Sequence, residues 1–491
     1  MAKDYKRQKE DFVSNLTGSS IGDINSVALV MSLSIFMWSV LQSRMRLFST
    51  YTPIACLIDF LLNCGAILFA TTLYSSSPWV LNLLLVLPAV FIFGTSPPSP
   101  TIKSAPRPPT KSDRTKQSTL DALPMKPFIT HYRGSMIIIT CVAILAVDFR
   151  VFPRRFAKVE NWGTSLMDLG VGSFVFTSGV VSVRSTLKAQ TGTRTPLSQR
   201  LIGSIRHSIP LLVLGVIRLI SVKRLDYTEH VTEYGIHWNF FFTLGFLPPF
   251  VALFQSAFDI VPSYAVLSCI LGGLYELALD LTSLKAFILV APRTDLLSKN
   301  REGIFSFFGY LAIFLAGQSV GSFVLPRQQP IRKDASKTQV VRNTILGKLA
   351  ISALIWTMLF YFSISYHGLG LPVSRRLANL PYFLWVASFN SANIALCYAI
   401  ETLCFPNIYK APNKEEESQR ARDATSPILF AFNRNGLAIF LVANLLTGLV
   451  NMTMPTIHMG VFESMGVLLG YVSAVSAVAL GLDRLNVSIK L

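Results

Sequence analysis

The chain has 491 residues, 51% of them hydrophobic and 14% charged, with a mean hydropathy of +0.49 and a formal net charge of +18. That is too apolar for a soluble multi-domain protein and marks an integral membrane protein. The cations lie between apolar runs rather than on one soluble face, which argues against a nucleic-acid partner and turns the charge into a statement about membrane orientation.

The amino-terminal "MAKDYKRQKEDF" lacks the apolar segment of a cleavable signal, so the first span is expected to direct insertion itself. Apolar runs of about 17 to 25 residues then recur, too long and continuous for barrel strands, and predict an all-α polytopic bundle. Thirteen spans are expected, at 24–43, 54–74, 78–95, 134–150, 167–183, 207–222, 236–257, 260–279, 304–325, 345–366, 382–403, 427–449 and 462–481. Pro248 and Pro249 kink the seventh, and "SLKAFILVA" at 283–291 is too short to cross and is expected to be re-entrant or interfacial. The gaps at 44–53, 96–133, 184–206, 326–348 and 404–426, with the carboxyl-terminal tail, hold about 26 lysines and arginines, against about 16 on the other side. The first set should face the cytoplasm, leaving the N-terminus lumenal and the C-terminus cytoplasmic. Asn15, in "NLT", then becomes a candidate glycosylation acceptor in the endoplasmic reticulum lumen. Cys56, Cys64, Cys141, Cys269, Cys397 and Cys404 sit in or beside apolar runs without paired spacing, and are expected to pack rather than to form a disulfide framework.

One membrane domain over residues 1–491 is expected, interrupted at 96–127 by a Pro-, Ser- and Lys-rich linker that cannot bury enough apolar surface to fold by itself. The loops at 326–344 and 407–426 are similarly polar, and the "KEEE" run in the second reads as a solvated charge face. No internal repeat is visible, which counts against the inverted-repeat architecture of many transporters. The predicted lumenal loops, by contrast, are dense in charged, aromatic and amide side chains, the trace left when several helices build one site.

The stretch "AVDFRVFPRRFAKVENWG" closes an apolar run with Asp148 at the negative end of the helix dipole, where a carboxylate is unwelcome. Pro153 pushes Phe152 out of helical geometry, so Arg154, Arg155 and Lys158 are free to fold back toward Asp148. By spacing alone, an interfacial ion pair with snorkelling cations accounts for these charges at least as well as a site does. In "EHVTEYGIHWNF", Glu229, Glu233 and His237 share one helical face, as do His230, Glu233 and His237. Gly235 interrupts what would otherwise be a ligand ladder, so a polar-substrate role for Glu233, Trp238 and Asn239, or an interfacial network, is preferred to a metal site. Arg301 in "SKNREG" and Arg375 and Arg376 in "PVSRRLANL" stand at span entrances, suited to phosphate recognition or to anchoring. Asn451, in "LVNMTM", is an amide in an apolar setting, available to a neighbouring helix or to a ligand. P-loop, Cys-x-x-Cys and zinc-protease signatures are missing from the sequence, so a transfer reaction would be direct.

Taken in order, "KRQKEDFV", "AILAVDF", "FPRRFAKVENWGTSLMDLGVGSFVF", "EHVTEYGIHWNFF", "NREGIFSFFGY", "SRRLANLPY" and "TGLVNMTM" resemble the fungal GPI-anchored wall transfer proteins, the glucosaminylphosphatidylinositol (GlcN-PI) acyltransferase family. The resemblance runs from about residue 6 to the C-terminus and thins in the cytoplasmic loops. It implies an enzyme of the endoplasmic reticulum membrane with thirteen spans, moving a long acyl chain, palmitoyl, from acyl-CoA to the inositol 2-hydroxyl of GlcN-PI. It implies no bound cofactor, acyl-CoA as co-substrate, GlcN-PI as the lipid partner, and a cavity open to antifungal inhibitors. It also implies that Asp148 and Lys158 are the catalytic pair.

On that reading Asp148 is the expected general base and Lys158 the expected oxyanion stabiliser. In a second assignment Asp148 orients Lys158 while His230 or His237 takes the proton. Arg154 and Arg155, with Arg301 or with Arg375 and Arg376, are the expected holders of phosphates of GlcN-PI or CoA. Acyl-CoA arises on the cytoplasmic side while the charged cluster is lumenal, so a cavity crossing much of the membrane is expected. The competing class is a lipid transporter or flippase in which Asp148 and Lys158 form an ion-coupled pair.

Overall fold

The computed structural model describes residues 2–97, 120–189, 196–224, 231–254, 257–328 and 336–489. Among these the fold is helical, and we number its principal helices α1 to α14. An amphipathic α1 (Ala2–Val13) precedes α2 (Ile21–Met45), α3 (Pro53–Thr71), α4 (Pro78–Thr95), α5 (Pro127–Ala146), α6 (Leu166–Ala189) and α7 (Leu197–Arg224). Then come α8 (Phe240–Phe254), α9 (Tyr264–Leu281), α10 (Arg301–Val324), α11 (Ile345–Ile364), α12 (Leu380–Cys404), α13 (Gly436–Thr453) and α14 (Val461–Arg484). The helices start where the sequence supplies stop-and-start chemistry. Ser20 and Thr52 accept hydrogen bonds from Asp23 N and Ala55 N, and Pro53, Pro78 and Pro127 occupy first-turn positions where no amide donor is needed.

Twelve of these helices are long and apolar enough to cross a membrane. The remaining expected span, at 236–257, holds α8, described over 15 residues, with residues 255 and 256 outside the described residues and a short helix, Ala257–Ile260, beyond them. Pro248 and Pro249 lie inside α8, as expected. The "SLKAFILVA" stretch holds the short helix Leu284–Val290.

α5, α6, α10 and α12 form the centre of the bundle, with 83% of the most apolar window of α5 buried against 11% for the peripheral α7. Close approach of α6 and α10 depends on glycine. A Cβ on Gly317 or Gly321 would lie 2.1 or 2.3 Å from the carbonyl oxygens of Phe176 and Val180, so the Gly317-x-x-x-Gly321 spacing sets this crossing. The six cysteines are free thiols.

Two expectations about polar loops are corrected. Residues 98–119 of the expected linker lie outside the described residues, but its end is packed: Leu123 is buried and its carbonyl accepts from Arg184 at 2.7 Å. The "KEEE" run opens a helix, Lys414–Asp423, on which Glu417 is buried and pairs with Arg327 at 2.6 Å, so one of its charges is structural.

The N-terminal segment is clamped over the end of the bundle that carries Asp148. Ser19 N donates to Thr164 O at 2.7 Å and Glu160 N to Leu16 O at 3.1 Å. Gly163 has φ +136°, and a Cβ there would meet the Thr17 carbonyl at 2.3 Å, so this contact requires glycine. Asn15 is exposed beside the clamp with φ 57°.

Candidate functional site

α5 ends at Ala146, four residues short of the end expected for its span at 150. Asp148 N and Phe149 N turn back to Leu145 O and Ala146 O, and Pro153 adopts an extended conformation before a single 3-10 turn, Arg154–Phe156. Irregular backbone of this kind would wander without anchors. Phe149, Phe152 and Phe156 supply them, all fully buried, so Asp148 and Lys158 are held by the aromatic packing of the loop between them.

Both residues line one cavity of about 310 Å³, together with Lys9, Glu233, Trp238, Asn239, Arg375 and Asn451. They do not form an ion pair with each other. Asp148 Oδ2 accepts from Asn451 Nδ2 at 2.7 Å, while Lys158 Nζ pairs with Glu233 Oε1 at 2.6 Å. Burial pushes the Asp148 carboxyl above its ordinary range, and the Asn451 hydrogen bond, Lys9 and Arg154 pull it part of the way back.

Lys158 belongs to a chain of alternating charge. Glu233 also lies 3.8 Å from Arg375, which pairs with Asp168 at 2.7 Å. The other oxygen of Asp168 accepts from Val159 N at 3.0 Å and Ser165 Oγ at 2.6 Å, fixing the backbone next to Lys158. Asp168 and Lys9 are the functional positions that sequence reasoning did not single out. A carboxylate inside the apolar "SLMDLGVG" was the signal for Asp168; for Lys9 it was the recurrence of "KRQKEDFV" among the family-like motifs.

Several expected contacts are placed elsewhere. Arg154 donates to Phe149 O and Phe152 O at 3.1 and 2.8 Å and stacks over Phe12 at 3.9 Å. Arg155 donates to Ser75 O at 2.8 Å. Arg376 donates to Asn161 Oδ1 at 2.7 Å and Glu302 Oε1 at 2.9 Å, and Arg301 is held by the Ala291 carbonyl. These arginines are engaged by protein acceptors, as Arg375 is by Asp168, and of the five Arg375 lines the cavity. His237 is off the cavity as well, its backbone N donating to Asn300 Oδ1 at 2.8 Å and its ring facing the same amide at 3.3 Å. His230 lies outside the described residues. Replacing His237 by Gln should keep turnover within about threefold; a collapse of turnover with the fold intact would restore histidine as the base.

A second cavity, about 410 Å³, lies farther along the same helices and is lined by Arg133, Ile137, Phe174, Leu211, Leu244 and Leu437 among others. α5, α6, α7, α8 and α13 contribute to both cavities. Between them Phe174 and Phe240 meet edge to face, with ring centroids 5.7 Å apart, one ring facing each cavity. Arg133 has no hydrogen-bond or ion-pair partner among the described residues, which is unusual for a guanidinium at this depth.

Residues 5–482 match the GWT1 family model. The chain is 55% identical over 496 residues to "GPI-anchored wall transfer protein 1" of Gibberella zeae, covering 99% of each chain. It is 55% identical to the protein of the same name from Aspergillus fumigatus, over 100% of this chain and 99% of that one. The relative in Candida albicans is 40% identical over the whole of both chains.

Proposed function

Because the chain belongs to the GWT1 family, whose members' shared name places it in GPI-anchor assembly as a transferase, we propose that it is the inositol acyltransferase of that assembly. The observation that carries the proposal is the shared cavity that gathers Asp148 and Lys158 from the two ends of one aromatic-anchored loop. In the reaction the inositol 2-hydroxyl of GlcN-PI gives its proton to Asp148 as its oxygen attacks the thioester carbon of palmitoyl-CoA. Lys158 stabilises the resulting oxyanion. Collapse re-forms the carbonyl and breaks the C–S bond, and the departing thiolate recovers the proton from Asp148.

Lys158 stands beside Glu233 in the resting site, so its charge is held in place before substrate arrives. An ion-coupled transporter would call for Asp148 and Lys158 to pair directly, and each is instead paired with a different group. Our assignment sets the N-terminus and the Asp148 cavity on the lumenal side of the endoplasmic reticulum membrane and the C-terminus in the cytoplasm. The second cavity then lies toward the cytoplasmic half, giving acyl-CoA a route to the reacting centre past Phe174 and Phe240.

Purified protein incubated with palmitoyl-CoA and GlcN-PI should yield acyl-inositol product and free CoA in equal amounts. A well-folded preparation that makes none would overturn the assignment. The route has its own test. Arg133 has no hydrogen-bond or ion-pair partner among the described residues, so Arg133→Leu should raise the KM for palmitoyl-CoA by about 10- to 100-fold, the loss of one charged hydrogen bond. The KM for GlcN-PI should not move; equal effects on both would mean that the second cavity does not hold the donor.

A further inference from the structure

Lys9 sits 442 residues from Asn451 in sequence, yet its Nζ donates to Asn451 Oδ1 at 2.8 Å. Asn451 Nδ2 in turn donates to Asp148 Oδ2 at 2.7 Å. An ammonium group has donors and no acceptor, so the atom of Asn451 that faces it must be the carbonyl oxygen. That leaves the amide nitrogen, and only the nitrogen, to face Asp148. Without Lys9 the amide is free to turn over and present its oxygen, which a carboxylate repels and to which a protonated carboxyl donates.

We propose that Lys9 is a positioning residue for acyl transfer: by fixing the orientation of Asn451 it holds Asp148 deprotonated and able to accept the substrate proton. This rests on the role of Asp148 given above. α1 brings Lys9 to the site through contacts that serve no other visible purpose. Phe12 lies under the Arg154 guanidinium, Tyr5 packs on the His458 ring with centroids 5.7 Å apart, and the turn after the helix is clamped to Thr164. The charged groups facing Asp148 are Lys9 from α1 and Arg154 from the following loop, with Lys158 and Glu233 on the same cavity. Removing Lys9 therefore takes away both the nearer cation of the N-terminal helix and the lock on the amide, and the two losses act in the same direction.

The test reads the protonation of Asp148 without substrate. A hydrophobic carbodiimide modifies protonated carboxyls, and the modified peptide is quantified by mass spectrometry across pH in the full-length protein. Lys9→Met should raise the labelling midpoint of Asp148 by about one pH unit and move the acid limb of the acylation rate by the same amount. Lys9→Arg, which keeps charge and donor, should restore both. Lys9→Gln gives the same measurement if methionine unseats α1. A midpoint equal to that of the wild type in a folded Lys9 variant overturns the proposal. A wild-type protein whose Asp148 labels as described but which forms no acylated product overturns acyl transfer instead, so the two failures are distinguishable.

Discussion

Asp148→Asn should lower turnover by about 10³- to 10⁴-fold, the upper range for loss of a general base, without lowering stability. The second half of this expectation follows from the sign of the carboxyl's shift. Burial raises its pKa in the folded protein above the unfolded value. The folded state therefore binds the proton more tightly, and the stability linked to this group is present below the ordinary carboxyl pKa and lost as pH rises through the folded one. At neutral pH the ionised Asp148 is a burden that the fold tolerates, and asparagine removes it while keeping an oxygen for Asn451 to donate to. Thermal unfolding at neutral pH should leave Asp148→Asn at or above the wild-type midpoint. The same shift sets the rate profile: activity should fall on acidification at a pH above the usual carboxylate range, when Asp148 takes up its proton. Lys158→Met should cost about 10²- to 10³-fold, as for loss of an oxyanion donor. An Asp148→Asn protein that acylates within tenfold of wild type would remove the carboxylate from the mechanism.

The parts of this molecule legible in sequence are those set by local chemistry. Continuous apolar runs specify helices wherever they occur, and Pro153 keeps the chain extended in the loop after α5. The same local logic located α8, whose start is fixed by Asn239: its Oδ1 accepts from Phe241 N at 3.0 Å. At the site, the cost of a carboxylate at a helix end drew attention to Asp148, but spacing alone favoured an interfacial ion pair and the family resemblance was what singled out Asp148 with Lys158; both line the cavity. Partnerships across the chain were not legible. Lys158 with Glu233, Asp168 with Arg375 and Lys9 with Asn451 join residues 75, 207 and 442 positions apart, and nothing in either partner's neighbourhood encodes the other. Arg155 and Arg376 looked like phosphate ligands for the same reason: a guanidinium in sequence advertises its charge, while the carbonyl or carboxylate that satisfies it is hidden until the chain folds.

Glu302 gives the sharpest measure of that hidden pairing. It is fully buried at the first turn of α10, where the helix dipole favours a carboxylate. Arg293 forks onto it at 2.5 and 3.0 Å, Arg376 donates at 2.9 Å, and Arg301 Nε lies 3.7 Å away. Three guanidiniums are thus balanced by one carboxylate, and neutralising it leaves cations in a buried setting. Glu302→Gln should destabilise the protein by about 3–5 kcal/mol, the usual result of removing one partner from a buried ion pair, and should lower the thermal unfolding midpoint. Arg376→Met should also destabilise, because it takes a donor away from Glu302 and from Asn161, but the molecules that remain folded should bind GlcN-PI with a near-normal KM. The cluster ties the Arg375–Arg376 loop to α10, so its energetic role is to hold Arg375 against Asp168 and, through Glu233, to keep Lys158 at the cavity. If Arg376→Met instead raises the KM for GlcN-PI tenfold while the unfolding midpoint stays put, the arginine is a substrate ligand after all, and the division between scaffold and site must be redrawn at Glu302.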